Sequence, residues 1–184
     1  MRLPQRDLHQ QLRAESIASR DRITTLVRPL DAARLVQHPE QGGWSVGQVL
    51  EHLLVSEEAY DTPLRALLRG ARPDAGAPAR EWRSTLLGGF IAESLRKPRA
   101  VKTRPIFEPG PTVRNGIVEA FLAQELAFVT MLDDSASLDW RALKIGSPAL
   151  PSFMPKMNLG DEFRIHVVHV TRHAGQIERL MQRL

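Results

Sequence analysis

The sequence predicts an all-α protein, an up-and-down or crossed four-helix bundle with one extra short helix and long irregular connections. Three observations carry this. Four long segments repeat their apolar residues with a helical period. Strictly alternating stretches that would mark strands are few. Clusters of Pro and Gly fall between the helical segments, where turns belong. The length, 184 residues, suits a single domain over 1–184.

The first helix is expected from about Pro4, a residue suited to a first helical turn, to Val27, with Pro29 ending it. Leu8, Leu12, Ile17, Ile23, Leu26 and Val27 form its core stripe. The second begins after "HPEQGGW", where Ser45 and Gln48 make a capping box. Val46, Val49, Leu53, Tyr60, Leu64 and Leu67 share one of its faces, and it fades at "RGARPDAGAP". A shorter helix is expected over about Glu81 to Leu95, despite Gly88 and Gly89. The third long helix should start after Thr112 as N-cap and run from about Val113 to Asp133. Ile117, Ala120, Phe121, Gln124, Phe128 and Met131 are its inward residues. The irregular stretch "DWRALKIGSPALPSFMPKM" follows and is long for an idle loop. Asn158 then caps the last helix, with Asp161 in its first turn.

Hydrophobic content of 42% and charged content of 25% are ordinary for a chain with a packed core. The start, "MRLPQRDLHQ", lacks the apolar region of a signal peptide, and no apolar run is long enough to span a membrane. A cytoplasmic location is therefore expected, without a membrane partner. Cysteine is absent, which excludes disulfides, thiolate metal sites and a cysteine nucleophile. The net charge is +4, yet the arginines are interleaved with acids over most of the chain. The one basic cluster, "RKPRAVKTRP" from Arg96 to Pro105, has no aromatic residues for base stacking, so no nucleic-acid partner is expected. That cluster reads as a solvated loop, or as a docking surface for an anionic ligand.

The last helix contains "HVVHVTRHAGQIERL", with three of the chain's six histidines in eight positions. At 100° per residue, His173 and His169 fall within about 20° and 60° of His166, among Phe163, Val170, Ile177, Leu180, Met181 and Leu184. They lie on the core stripe. His166 and His173 are too far apart along the axis to share one ion, since each ligating nitrogen must approach it to about 2 Å. The workable pair is 166/169 or 169/173. His52, at the edge of the apolar face of the second helix, is the candidate third ligand. A lone core-facing histidine is ordinarily just hydrogen-bonded. Three on facing stripes leave several buried nitrogens that call for a common partner. A neutral three-imidazole site would keep an open position for water or substrate. Its affinity for an ion should fall below about pH 6.5, where free imidazole protonates.

"GGWSVGQVLEHLLVSEEAY", with Trp-Ser followed by six residues and His52, resembles the entry motif of the DinB/YfiT-like metalloprotein superfamily. "HVVHVTRHAGQIERL" resembles its closing motif, H-x-x-x-H-x-x-Q-I, and "MPKMNLGDEF" its Pro-bearing lead-in. The resemblance covers about residues 42–60 and 155–182. It implies a DinB-like bundle with one divalent metal held by His52, His169 and His173. It leaves His166 as a pocket-lining or supporting group one turn away. Gln176 matches the family's glutamine and could orient a ligand or water, or bond a neighbouring helix. Arg172 could neutralise a substrate carboxylate or pair with a surface acid. Gly175 would let a backbone or ligand come close.

A three-imidazole donor set suits zinc or nickel foremost, with iron or copper as further candidates. The activity the resemblance suggests is transfer of a low-molecular-weight thiol such as bacillithiol, mycothiol or glutathione onto a small-molecule substrate, by a possible homodimer. Two other classes compete. A metal-dependent hydrolase is disfavoured because no carboxylate lies near the histidines in sequence, Glu162 standing a turn before His166. A non-catalytic stress or interaction protein on the same bundle is the third.

Overall fold

The computed structural model describes residues 1–97 and 102–183. Six helices account for most of it: α1 Gln5–Val27, α2 Ala32–Val36, α3 Val46–Gly70, α4 Leu86–Arg96, α5 Ile117–Asp134 and α6 Leu159–Met181. Four short strands, β1 Arg2–Pro4, β2 Glu81–Arg83, β3 Lys144–Ile145 and β4 Met157–Asn158, form two antiparallel ribbons, β1 with β2 and β3 with β4. The long helices α1, α3, α5 and α6 form the expected bundle. Helices α5 and α6 each pack against both α1 and α3, and α4 lies on α6. No helix among the described residues is long and apolar enough to cross a membrane.

The bundle is of the crossed kind. Ser19 meets Thr171 and Arg22 meets Glu178, so α1 and α6 run parallel. His52 meets His169 and Glu57 meets His166, so α3 and α6 run in opposite directions.

The capping predictions hold at both helices that bear the histidines. Ser45 and Gln48 cap α3 reciprocally, and Asn158 and Asp161 do the same for α6. Asp161 also accepts from Ser84 Oγ and from the backbone N–H and Oγ1 of Thr85, tying the start of α4 to the start of α6.

Two helix starts differ from expectation. Glu81–Arg83 is a strand rather than the first turn of a helix, because it pairs with β1 and buries Trp82. Trp82 Nε1 donates to Asn158 Oδ1, and α4 begins only after Thr85, whose hydroxyl caps Gly88 N–H. The fifth helix begins at Ile117, not Val113. Gly116 takes a left-handed φ of 66°, and Arg114 spends its main-chain N–H and guanidinium on Glu51. The inward face of α5 is rotated accordingly: Ile117, Phe121, Glu125, Phe128, Val129 and Leu132 are buried, while Ala120, Gln124 and Met131 are only partly so. Leu184 of the predicted α6 stripe lies outside the described residues.

The core has two apolar clusters. One gathers Leu8, Leu12, Tyr60, Leu64, Phe128, Leu132 and Phe163, and the other Ile23, Val27, Val49, Leu53, Phe121, Val170 and Ile177. On three of the long helices buried polar residues stand between the two clusters, Ser16 and Ser19 on α1, Ser56 on α3 and Glu125 on α5, with buried His52 and His166 close by on α3 and α6. The interior therefore carries a polar layer across its middle.

Gly160 opens α6 where an added Cβ would sit 2.2 Å from Trp82 Nε1 and 2.7 Å from its Cε2. The indole is fully buried and cannot retreat. Gly160→Ala is therefore expected to lower stability by about 1–3 kcal/mol through overpacking. A fall in the urea midpoint at unchanged slope would report it.

Candidate metal centre

His52 on α3 and His169 and His173 on α6 converge. Their Nε2 atoms face one another, with His169 Nε2 3.0 Å from that of His52 and 3.0 Å from that of His173. The ring centroids form a near-equilateral triangle with sides of 4.9, 4.7 and 4.6 Å. The spacing of four residues along α6 puts His169 and His173 one above the other on one face. The antiparallel run of α3 brings His52 against both.

The outer nitrogens fix which tautomers are present. His52 Nδ1 donates to the carbonyl oxygen of Phe107 at 2.6 Å, and His173 Nδ1 donates to Gln176 Oε1 at 2.8 Å. Carbonyl oxygens only accept, so both rings carry their proton on Nδ1 and turn an Nε2 lone pair inward. A single Nε2–H on His169 could serve only one of those lone pairs. Three imidazoles aimed at one point, two with their outer N–H held, match the donor set and the supporting bonds of a metal site. Among the described residues, these three form the group whose ligand atoms, all within 4.8 Å of one another, could hold a metal ion.

Electrostatics keep the three rings neutral. Burial lowers the His52 pKa, partly opposed by its bond to Phe107. Burial, with the charge that His52 would bring, lowers that of His173 to about 3. His169 is held well below the ordinary imidazole value by burial and by His173, His52, His166 and Arg172. Proton competition with a metal is thus weaker than free imidazole chemistry implies, and the expected loss of affinity on acidification moves below pH 6.5.

The neighbouring residues divide differently from expectation. Gln176 bonds His173 and so orients a ring of the trio. Arg172 Nη1 donates to the main-chain carbonyls of Leu95 and Lys97, at the end of α4. An added Cβ at Gly175 would meet only Arg179 Nη1, at an ordinary 3.5 Å, so no close backbone approach depends on this glycine. Trp44 of the Trp-Ser motif packs on His52 with centroids 5.0 Å apart. In the basic cluster, residues 98–101 lie outside the described residues, and Lys102 and Arg104 are exposed.

His166 stands one turn from the trio and belongs to a second group. Its Nδ1 lies 2.7 Å from Glu57 Oε2, its Nε2 lies 3.2 Å from Glu125 Oε1, and Phe128 stacks on the ring at 3.7 Å. Burial by itself would lower the His166 pKa. The charges of Glu57 and Glu125 outweigh it and raise the value well above 6.5, so the ring is an imidazolium. Glu162, also buried, is pushed up to about 8 by burial and by the charge of Glu57. No carboxylate lies near the histidines in sequence, but the fold brings two to His166. Sequence spacing shows only neighbours on one helix, and Glu57 and Glu125 arrive from α3 and α5. Glu125 left a readable signal: with Phe121, Phe128 and Leu132 it completes an i, i+4, i+7, i+11 stripe.

A helical bundle that gathers three neutral imidazoles from two antiparallel helices defines the class, an all-α protein with a preorganised all-nitrogen donor set. The family is equally clear. The model of the DinB superfamily matches residues 17–177, and the chain belongs to that superfamily. No curated protein and no solved structure matches the chain.

In metal-free protein, the Nε2 and Cε1 resonances of His173 should stay in the neutral form from pH 8 to pH 5 and move only near pH 3. His166 should keep its second proton above the pH at which free imidazole loses it. Below about 6.5 an unfolded chain would protonate His173 while the folded one does not. The neutral ring thus favours the fold above that pH and ceases to as pH falls toward 3. A histidine-resolved NMR titration in which His166 and His173 both moved near 6.5 would contradict this electrostatic description.

Proposed function

We propose that the trio binds one divalent transition ion, with zinc or nickel foremost, and that the protein is a thiol S-transferase acting on a small electrophile. The observation that carries the reading is the convergence of three neutral imidazoles whose inward lone pairs have no protein donor sufficient for them. A bound divalent ion would supply an open position at which a low-molecular-weight thiol loses its proton near neutral pH.

The chain's own residues supply the rest. His52 and His173 keep their lone pairs inward because Phe107 and Gln176 accept their outer protons. Trp44 covers His52. Lys102 and Arg104, exposed just before the Pro105–Phe107 turn that holds His52, would attract the carboxylates that such thiols carry. No cysteine competes for the ion or the electrophile. A second reading, a metal-dependent hydrolase, gains support from Glu57, a partly exposed carboxylate beside His166 that could handle protons.

The test is a screen of metal-loaded protein against bacillithiol, mycothiol and glutathione with model electrophiles, and against ester substrates without thiol. Thiol-dependent turnover supports the transferase, turnover without thiol supports the hydrolase, and inactivity with all of them counts against both. His169→Ala should lose bound ion and turnover together. Neutralising Lys102 and Arg104 should raise KM for thiol and leave metal content unchanged. Full thiol transfer by His169→Ala protein would overturn the proposal.

A further inference from the structure

A cavity of about 600 Å³ opens between the end of α1, the short helix α2 and the start of α5. None of the three clustered histidines lines it, and neither do Trp44, Phe107 or Gln176, so it is a space apart from the candidate metal centre. Small-molecule sites have volumes of roughly 300–1,000 Å³. The local chain accounts for the opening. Helix α1 stops at Val27, α2 has only five residues, and α5 starts late, at Ile117. An added Cβ at Gly47 would stand 2.9 Å from the Leu35 carbonyl oxygen and 3.0 Å from Val113 Cγ1. Helix α2 and the segment before α5 therefore rest directly on α3, which supports two of the walls.

The walls are mostly apolar. Val27 and Ile117 belong to the core, while Leu30, Leu35, Val118 and Leu122 are only partly buried. Covering them with an apolar body removes that surface from water.

Charge selects the occupant. The Arg114 guanidinium is spent on Glu51 and Glu58, and the Thr24 hydroxyl donates to the Arg20 carbonyl. Arg28 at the C-cap of α1 and Glu119 in the first turn of α5 also line the cavity, and both are exposed. Among the described residues neither side chain has an ion pair or a hydrogen bond. A simple anion would meet Glu119 unfavourably, and a simple cation Arg28. A molecule that carries both charges satisfies both.

We propose that this cavity is a binding site for a small zwitterion with an apolar body, of the class of α-amino acids with large apolar side chains. Arg28 takes the carboxylate through its planar guanidinium, Glu119 takes the ammonium, and the apolar walls take the side chain. The site is independent of the metal centre and of the transferase reading.

The experiment titrates zinc-loaded, methyl-labelled protein with L-tryptophan and follows the methyl resonances of Val27, Leu35, Val118 and Leu122. Two further probes separate the charges: tryptamine lacks the carboxylate, and indole-3-propionate lacks the ammonium. L-Tryptophan should shift the cavity methyls and bind at least tenfold more tightly than either analogue. Arg28→Gln should weaken L-tryptophan at least tenfold and leave tryptamine unchanged, and Glu119→Gln should weaken L-tryptophan and leave indole-3-propionate unchanged. Both side chains are exposed, so neither exchange threatens the fold. His169→Ala protein should bind L-tryptophan as the wild type does, which separates this site from the metal centre. Cavity methyls that do not move, an analogue that binds as tightly as L-tryptophan, or undiminished binding by Arg28→Gln would overturn the proposal.

Discussion

The antiparallel seam between α3 and α6 is the contact on which this molecule depends. Along it, His52 meets His169 and His173, Glu57 meets His166, and the Glu162 carboxylate helps raise the Tyr60 pKa. A seam of this kind is unstable by itself, since each polar atom taken from water must find a partner. The two apolar clusters on either side make it tolerable. They supply the burial that holds the helices together, and they exclude the water that would otherwise blunt every interaction in the layer. The same burial explains why two chemically identical side chains on one helix behave oppositely. His173 faces other imidazoles and loses its affinity for protons, while His166 faces carboxylates and keeps it.

The position of α6 has to be fixed for this to work, and its first turn does the fixing. Asn158 Oδ1 accepts from the N–H of Asp161 and from the indole of Trp82, while Asp161 gathers Ser84 and Thr85. The helix start is thereby tied to β2 and α4, and all residues from Leu159 to Val168 are buried. The register of His166, His169 and His173 follows from that anchor.

Much of this was legible in the sequence because it is local. Capping boxes are four-residue patterns, and Ser45–Gln48 and Asn158–Asp161 both appear where their spelling put them. The histidines sit inward because three rings shared the stripe of Phe163, Val170 and Ile177. His52 could be picked out at the edge of an apolar face, and the family motif then paired it with His169 and His173. Illegible were the interactions that depend on approach between distant segments. The strand at Glu81–Arg83 exists because the chain start lies beside it, and the late start of α5 because Glu51 claims Arg114. Ile117, Phe121 and Phe128 of the expected α5 face are buried, but that face is centred too far toward Ala120, Gln124 and Met131 to include Glu125. Glu57 carries no periodic signal that separates it from a solvated charge.

The parallel pairing of α1 with α6 has a consequence for how the chain assembles. Neighbours that run the same way cannot be joined by a tight turn, and here they come from opposite ends of the sequence. The link between Ser19 and Thr171 spans 152 positions, and that between His52 and His169 spans 117. Closing loops of this length costs conformational entropy before any contact repays it, and non-local contacts slow folding. Helices α1, α3 and α5 can collapse as the chain emerges, but the imidazole cluster forms only when α6 docks. During synthesis Phe107 and Trp44 are made before the closing helix, and only that helix brings His52 its fellow imidazoles. The three-histidine cluster is therefore a late product of folding, and a chain that stops short of α6 lacks the residues this helix contributes to both apolar clusters.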